Sequence, residues 1–113
     1  MNQPMTAVHF KALREDLGLS LRWLAEHFGV TERSVARWDA GIHPVPEGIA
    51  TGMRLLEEQI QDVIDAEIQQ GEGVISAPLD GETVSPPVWP ATTRRHIALM
   101  VSRATGAPIL PEN

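Results

Sequence analysis

Apolar residues recur at helical spacing through most of the chain, in stretches that glycine or proline separates. The spacing predicts three short helices near the start, over residues 7–17, 21–28 and 32 to about 40. A longer amphipathic pattern covers residues 47–70, and a last helix is predicted over residues 91–105. We therefore expect a mainly α fold.

Capping residues indicate where the short helices begin and end. Thr6, Ser20 and Thr31 each precede a predicted helix, and a hydroxyl at that position accepts a hydrogen bond from a backbone N–H that the helix leaves unpaired. Gly18 and Gly29 follow the first two helices and suit the left-handed backbone that ends a helix. The second and third helices are therefore predicted to be joined by a tight turn.

The stretch between the long helix and the last one is rich in proline and glycine. Its sequence, GVISAPLDGETVSPPVWP, predicts short extended pieces and turns. Val74 to Leu79, and APIL near the end, are candidate strands that pair within one chain or between two. The predicted organisation is a helical head over residues 1–58, followed over residues 59–113 by a C-terminal segment that contains the end of the long helix, the strands and the last helix.

Size and composition restrict the chain to one modest core. It has 113 residues, 42% of them apolar, and no cysteine, which excludes disulfides, thiolate metal sites and a cysteine nucleophile. Its start lacks a signal pattern, and its apolar runs fall far short of the roughly 18 residues that cross a membrane. We expect a cytoplasmic protein without membrane contact.

The sequence contains no residue pattern typical of an enzyme or a metal site. His9, His27, His43 and His96 are neither paired nor in an HExxH order, and the acids lack calcium-loop spacing. A nucleophile elbow and a glycine-rich phosphate loop are both absent from the sequence. We therefore expect no enzymatic activity, no metal and no cofactor.

The net charge of −6 is unevenly distributed along the chain. Residues 1–56 carry six basic and six acidic side chains, whereas residues 57–82 carry eight acids and no base. Salt screens charges beyond about 8 Å at physiological ionic strength. An acidic middle therefore does not prevent the first half from binding a polyanion such as DNA.

The second and third predicted helices carry the spacing of a DNA-binding motif. Ala25 is small where the two helices would cross, and the apolar residues that would fix their angle are Leu24, Val30, Val35 and Trp38. With LREDLGLSLRWLAEHFGVTERSVARWDAG, residues 6 to about 58 resemble the Cro/CI-type (XRE-like) helix-turn-helix regulators of phages and bacteria. WPATTRRHIALMVSRATGAPILPEN is similar to a phage-type subgroup that includes some anti-CRISPR-associated regulators, in which a long helix and a small α/β segment join two subunits.

The resemblance implies a lambda-repressor-like head whose third helix enters the major groove of double-stranded DNA. The base-contacting residues would be Glu32, Arg33 and Arg37, because arginine donates two hydrogen bonds to guanine and glutamate accepts one from cytosine. Contacts to the DNA backbone would come from Ser20, Arg22, Trp23, Thr31, Ser34 and His43.

Several of these assignments have an alternative. Arg33 and Arg37 also fit an ordinary solvated helix face, and Glu32 fits a partner for the positive end of the helix. Trp23 stands at a position that is normally polar in the family. It would lie on the DNA backbone, donate its indole N–H to a phosphate, or pack on the C-terminal segment.

Three other positions bear on the resemblance without being assigned to DNA. Arg14 and Asp39 match a structural ion pair of the family that links the first helix to the end of the third, so we assign them to stability. Leu21 replaces a glutamine that often orients the recognition contacts, so that hydrogen bond is absent.

The second half of the chain is predicted to join two copies. Its helices carry more apolar surface than a small head would cover, and the predicted dimerisation residues are Leu56, Ile60, Val63, Ile64, Ile97, Met100, Val101 and Ile109. The alternative is that this half folds back on its own head.

These features predict a sequence-specific DNA-binding regulator, a repressor or autoregulator that acts in the nucleoid as a homodimer on an inverted-repeat operator. Two alternatives stay open. An antitoxin would wrap a toxin with its C-terminal half, and an interaction module would keep the fold without binding DNA. The basic residues Arg22, Arg33 and Arg37 favour DNA over the interaction module, and the sequence identifies no other protein partner.

Overall fold

A computed structural model describes residues 4–71 and 73–112 of the chain and places five helices and two short strands in them. In chain order these are α1 (Ala7–Leu17), α2 (Leu21–Phe28), α3 (Glu32–Asp39), α4 (Glu47–Gln70), β1 (Ile75–Ala77), α5 (Ala91–Thr105) and β2 (Ile109–Pro111). The protein is mainly helical with a small parallel sheet, and the predicted mainly α class is confirmed. None of the described helices combines the length and the apolar character that crossing a membrane requires.

Hydroxyl caps and glycines set the ends of the short helices. The hydroxyls of Thr6, Ser20 and Thr31 each accept a hydrogen bond from the backbone N–H three residues later, at 3.0 to 3.1 Å. Gly18 and Gly29 end α1 and α2 with φ of 74° and 67°. These ends follow from the residues beside them, which is why the sequence predicts them.

A single cluster of buried side chains connects the described helices. In the first three helices Phe10 and Trp38 meet edge to face, with ring centroids 6.4 Å apart, and Val35 is fully buried. The boundary expected between residues 58 and 59 lies inside α4. Leu56 and Ile60, one on each side of that boundary, belong to the same cluster.

The apolar stripes assigned to dimerisation are largely covered by the chain itself. Among the predicted dimerisation residues, none of the following is more than 5% exposed: Leu56, Ile60, Ile64, Ile97 and Val101. Val63 and Met100 are half-buried against the same core, and Ile109 is 39% exposed. The prediction that these stripes meet a second copy is wrong for the five buried residues, because α5 folds back on α4.

The two strands pair in parallel within one chain, with Ile75 opposite Ile109. The N–H of Ile75 donates to the carbonyl of Pro108, and the N–H of Glu112 donates to the carbonyl of Ala77, both at 3.0 Å. Ile75 and Ala77 also bury their side chains in the core cluster. The sequence left open whether the two strands pair within one chain or between two chains. In the structure they pair within one chain.

The end of α1 touches the beginning of α5. The carbonyl of Gly18 accepts hydrogen bonds from the hydroxyls of Thr92 and Thr93, the second at 3.2 Å. A Cβ on Gly18 would lie 2.6 Å from the backbone carbon of Thr92. Glycine is therefore required here both for its positive φ and for the close approach of the two backbones.

Candidate nucleic-acid interface

A short connection holds α2 and α3 at a fixed angle. Only residues 29–31 separate the two helices, and the N–H of Val30 donates to the carbonyl of Ala25 at 3.0 Å. Ala25 is 5% exposed, and Val30 packs against the core. Since α3 also packs on α1, its inner face is held by two helices while its outer face stays accessible.

The predicted base-contacting side chains lie on the accessible side of α3. Glu32 and Arg33 are exposed in its first turn, and Arg37 is half-buried one turn later. Val35 and Trp38 occupy the opposite, buried side. Because residues four apart are neighbours on a helix, the structure brings Arg33 and Arg37 onto one surface.

Two hydroxyls lie at the beginning of α3. The oxygen of Thr31 accepts from the N–H of Ser34 at 3.1 Å and lies 2.9 Å from the Ser34 hydroxyl. One of the two hydroxyls donates its proton to the other. The second hydroxyl proton is then available to an acceptor outside the protein. Together with the positive end of the helix dipole, this arrangement suits an anion. Glu32 lies in the same turn, so both of its expected roles stay open.

The beginning of α2 offers a second group of polar side chains. Ser20 uses its hydroxyl oxygen to accept from the N–H of Trp23 at 3.0 Å. The Nε of Arg22 lies 3.5 Å from an Oε of Glu26, in a pair whose arginine side chain is 63% exposed. Such an exposed pair is weak, so the guanidinium can turn to a phosphate at little cost. His43, in the loop after α3, is also exposed.

Trp23 does not belong to this surface. Its side chain is 2% exposed, its Nε1–H donates to the carbonyl of Val88 at 2.9 Å, and its ring stacks on Trp89 with centroids 5.4 Å apart. The Trp23 ring also stacks on His27, with centroids 5.2 Å apart, and burial lowers the pKa of that histidine. Assigning Trp23 to the DNA backbone is wrong, because its indole N–H is already used; it packs on the C-terminal segment.

Sequence reasoning missed Trp89 as the partner of Trp23. The two residues are far apart in the chain, and no local pattern connects them. The available signal was a tryptophan at an early position of α2, between a serine cap and the buried Leu24, together with a second tryptophan in the proline-rich stretch.

An ion pair braces α1 against the end of α3. Arg14 Nε lies 2.8 Å from Asp39 Oδ1, and Lys11 Nζ lies 3.3 Å from Asp39 Oδ2. Burial alone would raise the pKa of Asp39, but hydrogen bonds and charges from Arg14 and then Lys11 outweigh burial and hold this pKa below its ordinary value. The sequence predicts the Arg14 contact and misses the Lys11 contact.

Within residues 4–71 and 73–112, no group of three or more histidine, aspartate and glutamate side chains is placed to hold a metal ion. No protein-family model matches the chain, and no curated protein matches it. Function is therefore inferred from the surface that α2 and α3 present.

Proposed function

We propose that the protein is a sequence-specific DNA-binding transcriptional regulator in which α2, its turn and α3 act as a helix-turn-helix. The observation that carries this proposal is the pair Arg33 and Arg37 on the accessible side of a helix whose other side is locked into the core. A rigid support matters because base recognition requires donors at fixed positions. Repression, including repression of its own gene, is the expected outcome of such binding near a promoter.

The expected contacts divide into two kinds. Arg33 and Arg37 donate to guanine in the major groove, and Glu32 accepts from a cytosine amino group. Phosphates on either side are bound by the hydroxyls, the guanidinium and the imidazole around the ends of α2 and α3, contributed by Ser20, Arg22, Thr31, Ser34 and His43. The first group selects the sequence, and the second positions the protein on the duplex.

The overall negative charge is compatible with this role. α3 packs on α1 and α2, whereas the acid-rich helix α4 packs on α1 and α5. Attraction to phosphates depends on charges within about a Debye length of the groove, near 8 Å. Acidic side chains elsewhere reduce non-specific binding to DNA and leave the local arginines effective.

We further propose that two copies act together on an inverted repeat. One recognition helix contacts only a few base pairs, and a two-fold pair places two such helices about 34 Å apart. Because the α4 and α5 stripes are buried, the second copy has to use other side chains. Ile109 remains available, beside Leu79 and Leu110 in a shallow apolar groove of about 190 Å³.

Selection of bound sites from a random pool of double-stranded DNA, with the full-length chain, tests this function. We expect one enriched motif with inverted symmetry and guanines at the positions that Arg33 and Arg37 contact. Arg22→Ala should weaken all sequences alike and reduce the salt slope by about one unit. A pool that shows no enrichment over non-specific DNA would contradict the proposal and favour an interaction module.

A further inference from the structure

A groove runs along the C-terminal half of α4, away from the proposed DNA surface on α3. Two adjoining hollows of about 160 and 360 Å³ share Glu67 and Ser76 in their walls. α4 forms one wall, β1 and residues 87–89 contribute to the rest, and the apolar side chains of α5 that line the groove are Ile97, Ala98 and Val101. An occupant would therefore lie between a helix and the edge of a sheet.

The edge of β1 that borders this groove has backbone groups available for pairing. Ile75 and Ala77 direct their hydrogen bonds to β2. Since alternate residues of a strand direct their backbone groups to opposite edges, the N–H and C=O of Ser76 point away from β2. The outer edge of β2 differs, because Pro111, the last residue of that strand, faces outward and proline cannot donate to a ladder.

The α4 wall of the groove carries a negative charge. Glu67 lines both hollows, and no basic residue of α4 lines either of them. The cation in its lining is Arg94, at the α5 end, which forms an ion pair with Glu112. A segment lying along the α4 wall would thus meet negative charge.

We propose that this groove binds an extended segment of a partner protein, with alternating basic and apolar side chains, which adds to β1 as a third strand. Successive side chains of a strand point to opposite faces, so the apolar ones would cover α5 while a basic one reaches Glu67 of α4. The backbone of Ser76 would supply the pairing. This inference does not depend on the proposed DNA binding.

A second copy of this chain does not fit the same description. The nine lysine and arginine residues of the chain all lie within the five helices, so no extended segment of a second copy carries a basic side chain. The partner is therefore a different protein.

The test uses the immobilised full-length chain and a phage-displayed library of random ten-residue peptides. We expect enrichment of peptides that alternate basic and apolar residues. A synthetic copy of an enriched peptide should bind Ser76→Pro about five- to tenfold more weakly, since one backbone hydrogen bond is lost. Glu67→Gln should weaken binding about two- to fivefold, less so in high salt.

Glu58→Gln is the matched control for Glu67→Gln, because it removes an exposed carboxylate of α4 that does not line the groove and should leave peptide binding unchanged. Glu67→Arg covers the case in which Ser76→Pro fails to fold, since it should shift the selection towards acidic peptides. The proposal is overturned if no peptide is enriched, or if enriched peptides bind the Ser76 and Glu67 variants as well as wild type. It is also overturned if sedimentation shows self-association that Ser76→Pro abolishes, since a second copy would then occupy the groove.

Discussion

Asp39 illustrates how a single carboxylate can be stabilised at an unfavourable place. It lies at the C-terminal end of α3, where the helix dipole disfavours negative charge. Arg14 and Lys11 compensate, and the pKa of Asp39 stays below its ordinary value of 3.8. The folded state therefore holds the ionised carboxylate more tightly than the unfolded chain does, and the resulting stabilisation is present above pH 4 and is lost as pH falls through the folded pKa.

Asp39→Asn should lower the free energy of unfolding at pH 7 by about 1–3 kcal/mol, because Arg14 then keeps a half-buried charge without its partner. The difference from wild type should shrink as pH falls from about 4 through the lowered folded pKa of Asp39, where the wild-type carboxyl also becomes neutral. Urea unfolding at several pH values measures this, with Glu15→Gln on the exposed side of α1 as control. A variant that unfolds like wild type yet no longer binds DNA would instead place Asp39 in the interface.

Arg33→Ala should cost about 1–3 kcal/mol of binding to the selected DNA site and relax the preference at one base pair. Arg33→Lys should lose much of the same preference, because an ammonium cannot reproduce the two-pronged contact to guanine. Titration of matched and single-substituted sites measures both effects. Arg103→Ala, which changes an exposed arginine on α5, should alter neither the affinity nor the base preference. If Arg33→Ala bound the site as tightly as wild type does, α3 would not lie in the major groove of the DNA.

At the scale of elements, the packing between α2 and α4 depends on where α4 carries glycine. Gly52 lies within α4, and a Cβ there would come within 2.4 Å of the Phe28 ring at the end of α2. Gly48, one turn earlier in the same helix, has open space around it. The two glycines therefore have different reasons to be present, although both lower helix propensity.

Gly52→Ala should destabilise the protein by about 1–3 kcal/mol, because displacing the Phe28 ring outweighs the gain in helix propensity. Gly48→Ala should instead stabilise it by about 0.5–1 kcal/mol. Thermal unfolding of the two variants side by side decides the point. Equal effects at both positions would show that α2 and α4 are not packed closely at Phe28.

Local signals predict the elements well and their partners poorly. Thr6, Ser20 and Thr31 mark helix starts because a cap acts within three residues of itself, and the exposure of Arg33 follows from helical periodicity. The contact of Trp23 with Trp89 and the packing of α4 against α5 depend on how distant segments meet. No spacing along the chain encodes such contacts, so the sequence assigned the α4 stripe to a second copy and Trp23 to the DNA backbone, and offered packing within the chain as the alternative for both.

On the scale of the whole molecule, the continuous core makes the two halves depend on each other. Removing residues 60–113 would uncover Leu56 and Trp23 and delete the hydroxyl donors to Gly18. The first three helices and the start of α4 would then have to stay folded on 13 of the 21 apolar side chains that are buried in the described residues. The second half therefore contributes to the stability of the proposed DNA-binding head, whatever partner it also binds.

A chain ending at Gln59 should therefore unfold at a temperature lower by more than about 10 °C, or without a cooperative transition. A chain ending at Ala107 loses only β2 and should keep most of the stability, which makes it the control. Calorimetry of the three chains measures the difference. A Gln59 fragment with the full-length melting temperature would show that the head folds independently.

The stacked indoles give the protein an optical reporter of its own. The chain has three tryptophans, and two of them, Trp23 and Trp89, lie face to face across the junction of α2 with the C-terminal segment, while Trp38 sits in the core of the head. Coupled indoles produce a circular dichroism signal in the near ultraviolet that disappears when the rings separate. Opening of the junction during unfolding, or on binding of DNA or peptide, can therefore be followed without an attached dye, and Trp38→Phe isolates the stacked pair.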